Sequence, residues 1–227
     1  MKKRAGVRKS AGWSRHFFHR KESLRATWKL RLAVVGLIVP ILLTRGIWTE
    51  WIAQGLVCDA DIAPSDALLI ENFDPDYLLF EHAETLRRSG VAPRVFAFVE
   101  KGRGPGGLNG ISQGFTAILA DAAHLPSAEF IPISATSEPI TLNVAHQIRD
   151  YLTARHVKSI VLVTRNFRSR RSLLIYDSVL SKAGIRVGCA PVVGMETAEN
   201  WTETNHGMAD VVLQFIKLQY YRLWVLR

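Results

Sequence analysis

Short apolar runs alternate with amphipathic segments over most of the chain. Ala67 to Ile70, Arg94 to Val99, Phe130 to Ile133, Ile160 to Val163 and Arg186 to Pro191 are compact apolar stretches bounded by turn formers, which predicts five buried strands. Between them apolar residues return every three or four positions. That spacing predicts helices over Tyr77 to Arg88, Phe115 to His124, Ile140 to Arg155 and His206 to Tyr220, with another running from Arg168 through Leu174, Tyr176, Val179 and Leu180. Gly90 closes the first helix and Pro139 sits near the first turn of another. Tyr221 to Leu226 reads as a sixth strand at an edge. Strands alternating with helices at this spacing predict an α/β, Rossmann-like three-layer fold with a mainly parallel sheet of about five strands.

A different pattern precedes this domain. Leu32 to Thr44 is free of charge, and the window Leu30 to Ile47 reaches eighteen residues only by including Arg31 and Arg45, which can snorkel from its ends. Trp28, Trp48 and Trp51 suit the two interfaces. The expectation is one transmembrane helix over residues 30–48 with a kink at Pro40, after a basic tail at 1–29 and before a connector at 49–65; the α/β domain is 66–227. A buried core helix and a cleaved signal peptide compete with this reading; no A-x-A site follows the apolar run.

Charge orients the span. Residues 1–31 hold eleven Lys/Arg against the single acid Glu22, a net +10, so the rest of the chain carries 9 − 10 = −1. By the positive-inside rule the N-terminus stays cytoplasmic and the C-terminal domain is exported across a bacterial cytoplasmic (inner) membrane. A nucleic-acid-binding fold carries its basic footprint on the domain itself, so no nucleic-acid partner is expected. The two cysteines, Cys58 and Cys189, rule out a four-cysteine zinc site. They are read as buried thiols, with pairing as the alternative.

In a parallel sheet the turns after the strands meet outside the carboxyl ends, where ligands gather. Five segments should therefore share one rim: Glu71 to Asp76, Lys101 to Gly110, Ser134 to Asn143, Thr164 to Arg171 and Glu196 to His206. Arg168, Arg170 and Arg171 open a helix, where a purely structural sequence would place acids, so they predict an anion site with help from free N–H groups and the helix dipole. Arg168 and Arg171 are three apart and share a face, and Arg165 lies in the turn. Asn72, Thr141, Asn143 and Thr164 complete the expected ligand shell. Asp74, Glu138 and His206 are the candidate acids and bases. Glu71, Asp74 and Asp76 are candidates to hold a cation or a sugar, or else to cap a helix. Asn200, Trp201 and His206 are candidates to close the pocket. No zinc spacing, P-loop or G-x-S-x-G occurs, so no metal is expected and the cofactor is left open. The glycine-rich loop Lys101 to Gly110 reads as a flexible loop or a lid.

From Asp66 onward the layout resembles the YdcF/SanA/ElyC-like family of bacterial envelope proteins. The carriers are a membrane anchor, Asp61-Ile-Ala-Pro-Ser-Asp-Ala-Leu-Leu-Ile entering the first strand, Thr141-Leu-Asn-Val-Ala opening a helix, and Val163-Thr164-x-x-Phe167-x-x-x-Arg171. The resemblance implies an anchored, exported Rossmann-like domain acting in envelope or cell-wall precursor metabolism. Glu71-Asn72 stands where the family has Gly-Gly, Asn143 where it has Glu, and Arg168 where it has His. The last two exchanges remove proton-moving groups and favour anion binding. Three functions follow as expectations: binding of a phosphate- or nucleotide-bearing ligand, a hydrolase or transferase acting on phosphorylated precursors, or a non-catalytic interaction protein that docks through Trp201.

Overall fold

A computed structural model describes residues 27–59, 64–102 and 109–227. The basic tail to residue 26, residues 60–63 at the end of the connector and the start of the strand-entry motif, and residues 103–108 of the glycine-rich loop lie outside the described residues. The chain forms two compact units, Met1–Thr44 and Arg45–Arg227.

In the first unit the apolar stretch is a helix, α1 (Trp28–Leu43), capped by Thr27 and exposed along its length. The expected single helix over 30–48 does not form. Thr44 turns out of helical geometry, at φ −94° and ψ 9°, while its N–H still donates to the Pro40 carbonyl at 2.9 Å. Among the described residues no single helix is long and apolar enough to cross a membrane. The successive helices α1 and α2 (Arg45–Gln54) reach the required length and composition only together.

The second unit contains α2 and a five-stranded sheet: β1 (Ala67–Ile70), β2 (Arg94–Glu100), β3 (Glu129–Ile133), β4 (Ser159–Arg165) and β5 (Arg186–Val192). All its pairings are parallel, in the order β3-β2-β1-β4-β5. β1 is buried along its whole length and β4 up to Thr164, because both sheet faces are covered; this is why both strands are written as continuous apolar runs rather than alternations. Alternation still sorts the two faces. Leu68 and Ile70 pack with α3 (Tyr77–Arg88) and α4 (Gly110–Ala122). Ala67 and Leu69 pack with α5 (Ile140–Ala154), α6 (Ser169–Leu180) and Tyr221. A satellite core joins Ala53 and Leu56 to Phe167, Trp201 and the last helix, α7 (Asn205–Tyr220).

Two expectations change here. Tyr221 to Leu226 is not a strand: Tyr221–Val225 continues the chain as a π-helical turn, with Leu226 N–H donating to the Tyr221 carbonyl at 3.0 Å. The run is apolar at nearly every position, so it carries no period to separate helix from strand, and the packing of Tyr221 into the core decides. Cys58 and Cys189 are not thiols but a disulfide, with Cα atoms 6.4 Å apart. The connector is folded back onto the sheet rather than leading away from it, so the two sulfurs meet.

Candidate functional site

The strand order reverses between β1 and β4, so their carboxyl ends define the switch-point crevice. Ile70 is in register with Val163, and Glu71 N–H donates to the Val163 carbonyl at 2.9 Å, which carries the pairing to the rim. The alternation of β1 then aims Glu71 at the α5/α6 face and Asn72 at the α4 face.

Glu71 is the buried centre of the α6 side. Its carboxylate accepts from the Thr164 hydroxyl and from Ser172 Oγ at 2.7 and 2.9 Å. A carboxylate removed from water demands such donors and nearby positive charge. Arg168 and Arg171 supply the charge from the start of α6. Behind them Tyr176, fully buried, holds its hydroxyl without a hydrogen-bond partner among the described residues, and burial pushes its pKa well up.

The two arginines differ in their partners. Arg168 Nη2 donates to Asp74 Oδ2 at 2.5 Å. Burial works to lower the Arg168 pKa, but Glu71 and Asp74 outweigh it and the net shift is upward. The same bond holds Asp74 below the ordinary carboxylate range. Arg171 is only 7% exposed, its Nε has no hydrogen-bond partner, and no carboxylate lies in ion-pairing range among the described residues. Burial, and then repulsion from Arg168, lower its pKa against the pull of Glu71.

Both arginines line a hollow of about 320 Å³ together with Asp74, Glu138, Thr141, Lys217 and Tyr221. Lys217 reaches it from α7, and Tyr221 closes it beside Thr141. The Lys217 pKa is lowered by burial and then by Arg171 and Arg168, whose combined push exceeds the pull of Asp74 and Asp210. A second cation is thus unwelcome at that point and an anion welcome.

The rest of the expected shell separates from this hollow. Arg165 turns the other way and pairs with Asp76 at 3.0 Å, lining a second hollow of about 300 Å³ with Glu196, His206 and Asp210. His206 therefore does not join Asp74 and Glu138. Asn72 donates to Thr116 Oγ1 at 2.9 Å on the α4 face, and Asn143 donates to the Ser137 carbonyl at 2.9 Å, shaping the turn before α5. Glu138 is exposed at the hollow's edge and accepts from Ile140 N–H at 3.2 Å. Glu71, Asp74 and Asp76 do not gather around a cation: the first is held by hydroxyls, the second by Arg168, and the third pairs with Arg165 and caps α3. No group of three His, Cys, Asp or Glu side chains suited to a metal occurs among the described residues.

The start of α6 is also not an open anion cradle. Ser169 and Arg170 N–H groups donate to the Asn166 and Leu56 carbonyls, and Arg170 Nε donates to the Val57 carbonyl at 2.9 Å. Arg170 is therefore a clip for the folded-back connector, and any anion here is met by guanidinium groups rather than by the helix dipole. Trp201 is buried with its indole N–H donating to the Thr49 carbonyl at 3.1 Å, and Asn200 ties the turn between Met195 and Thr197, so neither is a docking group or a pocket lid.

Sequence reasoning missed Lys217, Ser172, Tyr176 and Tyr221. Ser172 and Tyr176 are four apart on the face of α6 that Arg168 and Arg171 begin, and that spacing was the available signal. Lys217 had only the signal of a lone cation on an apolar helix. No family model matches the chain, and no curated protein matches it. Fold and site together define a parallel, Rossmann-like α/β domain with a cation-lined hollow at its switch point.

Proposed function

We propose that this is a membrane-anchored, exported envelope protein, similar to the YdcF/SanA/ElyC-like family, that binds a phosphate- or nucleotide-bearing anion in the hollow between Arg168, Arg171 and Lys217. The observation that carries the binding reading is Arg171: a buried arginine that lines a hollow and has no carboxylate in ion-pairing range among the described residues. Burying a cation without a carboxylate partner is costly, and an incoming phosphate oxygen offsets that cost with charge-assisted bonds in bidentate geometry. Thr141 and Tyr221 add hydroxyls that bind either phosphate or sugar oxygens. The disulfide supports export, because such bonds persist in oxidising compartments.

Thermal denaturation of the full chain with inorganic phosphate, pyrophosphate and a nucleoside diphosphate tests the site. A ligand at about a hundredfold its Kd adds about 2.7 kcal/mol, which for a chain of this size is a rise of roughly 5–11 °C. Arg171→Gln should abolish the rise, while Arg165→Gln, in the other hollow, should keep it. An unchanged rise in Arg171→Gln would remove the site.

A transfer or hydrolysis reaction is a second reading, favoured by one observation: Glu138 borders the hollow with an exposed carboxylate and no ion pair among the described residues. Asp74, held ionised by Arg168, is a poor proton donor at neutral pH. Turnover of a phosphate ester that Glu138→Gln eliminates without weakening product binding would establish catalysis over binding alone.

A further inference from the structure

The last helix is apolar on two sides. Val211 and Leu218 face the protein, as the inner stripe of a surface helix should. The outward stripe, where polar residues belong, is Val212, Leu213, Ile216 and Tyr220, continued by Leu223 in the turn that follows, and these five are each between 42% and 58% exposed. Trp224 is exposed further, at 72%. Such a helix is covered by something.

We infer that this stripe lies on a bilayer surface bearing anionic headgroups. The charge pattern favours that occupant: from Val211 to Arg227 there is no acid, and the cations other than Lys217, which faces the anion hollow, are Arg222 and Arg227. An aromatic and aliphatic face with cations at its edges is the composition of an interfacial helix, and tyrosine and tryptophan are the residues that settle at headgroup depth. Continuity points the same way. α2, in the same compact unit, exposes Ile47, Trp48 and Trp51, and Trp51 shares a hollow of about 400 Å³ with Arg170, Phe215 and Arg222. The residues joined directly to α2 are the apolar stretch of α1. The domain thus meets the bilayer surface through α2 and α7, which pack side by side. This placement rests on the membrane attachment proposed above and not on the anion site.

The test uses the full chain reconstituted into vesicles of phosphatidylcholine and phosphatidylglycerol whose acyl chains carry bromine near the headgroup. The wild-type emission minus that of Trp224→Phe isolates Trp224, whose exposed position tolerates the change. The expected result is a blue-shifted difference spectrum that loses most of its intensity in brominated vesicles, with the loss reduced by Ile216→Glu. A chain that floats with the vesicles while its Trp224 emission stays red and unquenched overturns the inference and leaves the stem intact. A chain that does not float overturns both. Shielding of Trp224 that appears only in a dimer in detergent, with no quenching in vesicles, assigns the stripe to a second copy and also overturns it.

Discussion

Glu71 and Lys217 bracket the hollow from opposite sides, and their charges act on an anion in opposite senses. Glu71 neutralises Arg168 and Arg171 from within. Glu71→Gln preserves the shape and the hydroxyl partners but leaves the buried Arg171 guanidinium and the half-buried Arg168 less compensated, so the domain should lose about 3 kcal/mol in urea denaturation, the lower end for a broken buried charge arrangement. The same change should tighten sulfate binding, because the field at the hollow becomes more positive. Loss of stability together with loss of affinity would mean that Glu71 shapes the hollow rather than tuning its charge. Lys217 gives a pH signature. Its pKa lies below the ordinary lysine value of 10.5, chiefly through burial and then through Arg171 and Arg168. Its charge, and its share of sulfate affinity, is present at neutral pH and is lost as pH rises through that depressed value, earlier than an unperturbed lysine would lose it. Calorimetric titration with sulfate, which stays doubly charged over this range, should show the decline in the wild type and a flat profile in Lys217→Met.

Among the elements, α3 ends on a charge cluster separate from the site. Glu84 is only 7% exposed on its side chain and accepts from Arg87 at 2.6 and 2.8 Å and from Arg88 at 2.6 Å. The Arg87 bond, opposed by burial and helped by Arg88, takes its pKa from 4.5 to about 2. Because the folded value is the lower one, this stabilisation is fully present above pH 4.5 and fades as pH falls toward 2. Urea midpoints measured across that window should therefore fall less steeply for Glu84→Gln than for the wild type. The elements themselves were largely legible in the sequence. β1 and β4 are buried on both faces and so are spelled as unbroken apolar runs, and Asp76 before Tyr77 marks the start of α3 through its side-chain cap. What local pattern could not supply was the direction of side chains at an irregular start. Arg165, Arg168, Arg170 and Arg171 fall within seven residues, yet they meet Asp76, Asp74, a backbone carbonyl and no carboxylate, respectively. Arg165 is the last, extended residue of β4, before the 3-10 turn Asn166–Arg168, so it shares no helix face with the other three and lines a different hollow. α1 likewise ends at Thr44, where the backbone leaves helical geometry, a break that hydropathy does not register.

Over the molecule as a whole, the disulfide ties the residues that follow α2 to β5, beside the start of α6. Cys58 lies four residues past α2, and Cys189 is in β5, 131 residues further along the chain. Cys58 N–H donates to Ser169 Oγ at 2.8 Å, while Leu56 and Val57 offer their carbonyls to Arg170. Ser169 and Arg170 lie between Arg168 and Arg171, so the bond that closes the connector also fixes the turn that aims the site's two arginines. A loop of this length puts the chain-entropy contribution of the cross-link at about 5 kcal/mol in the simplest account, with about 2–4 kcal/mol the usual range. Cys58→Ser combined with Cys189→Ser should therefore lower denaturant stability by a few kcal/mol. It should also weaken phosphate binding, because Arg168 and Arg171 lose their fixed aim before the sheet unfolds. A reduced chain with lower stability but unchanged phosphate affinity at a temperature where it remains folded would show that the sheet alone holds the arginines. Weakened affinity at full occupancy of the folded state would show that the folded-back connector is part of the binding site's architecture.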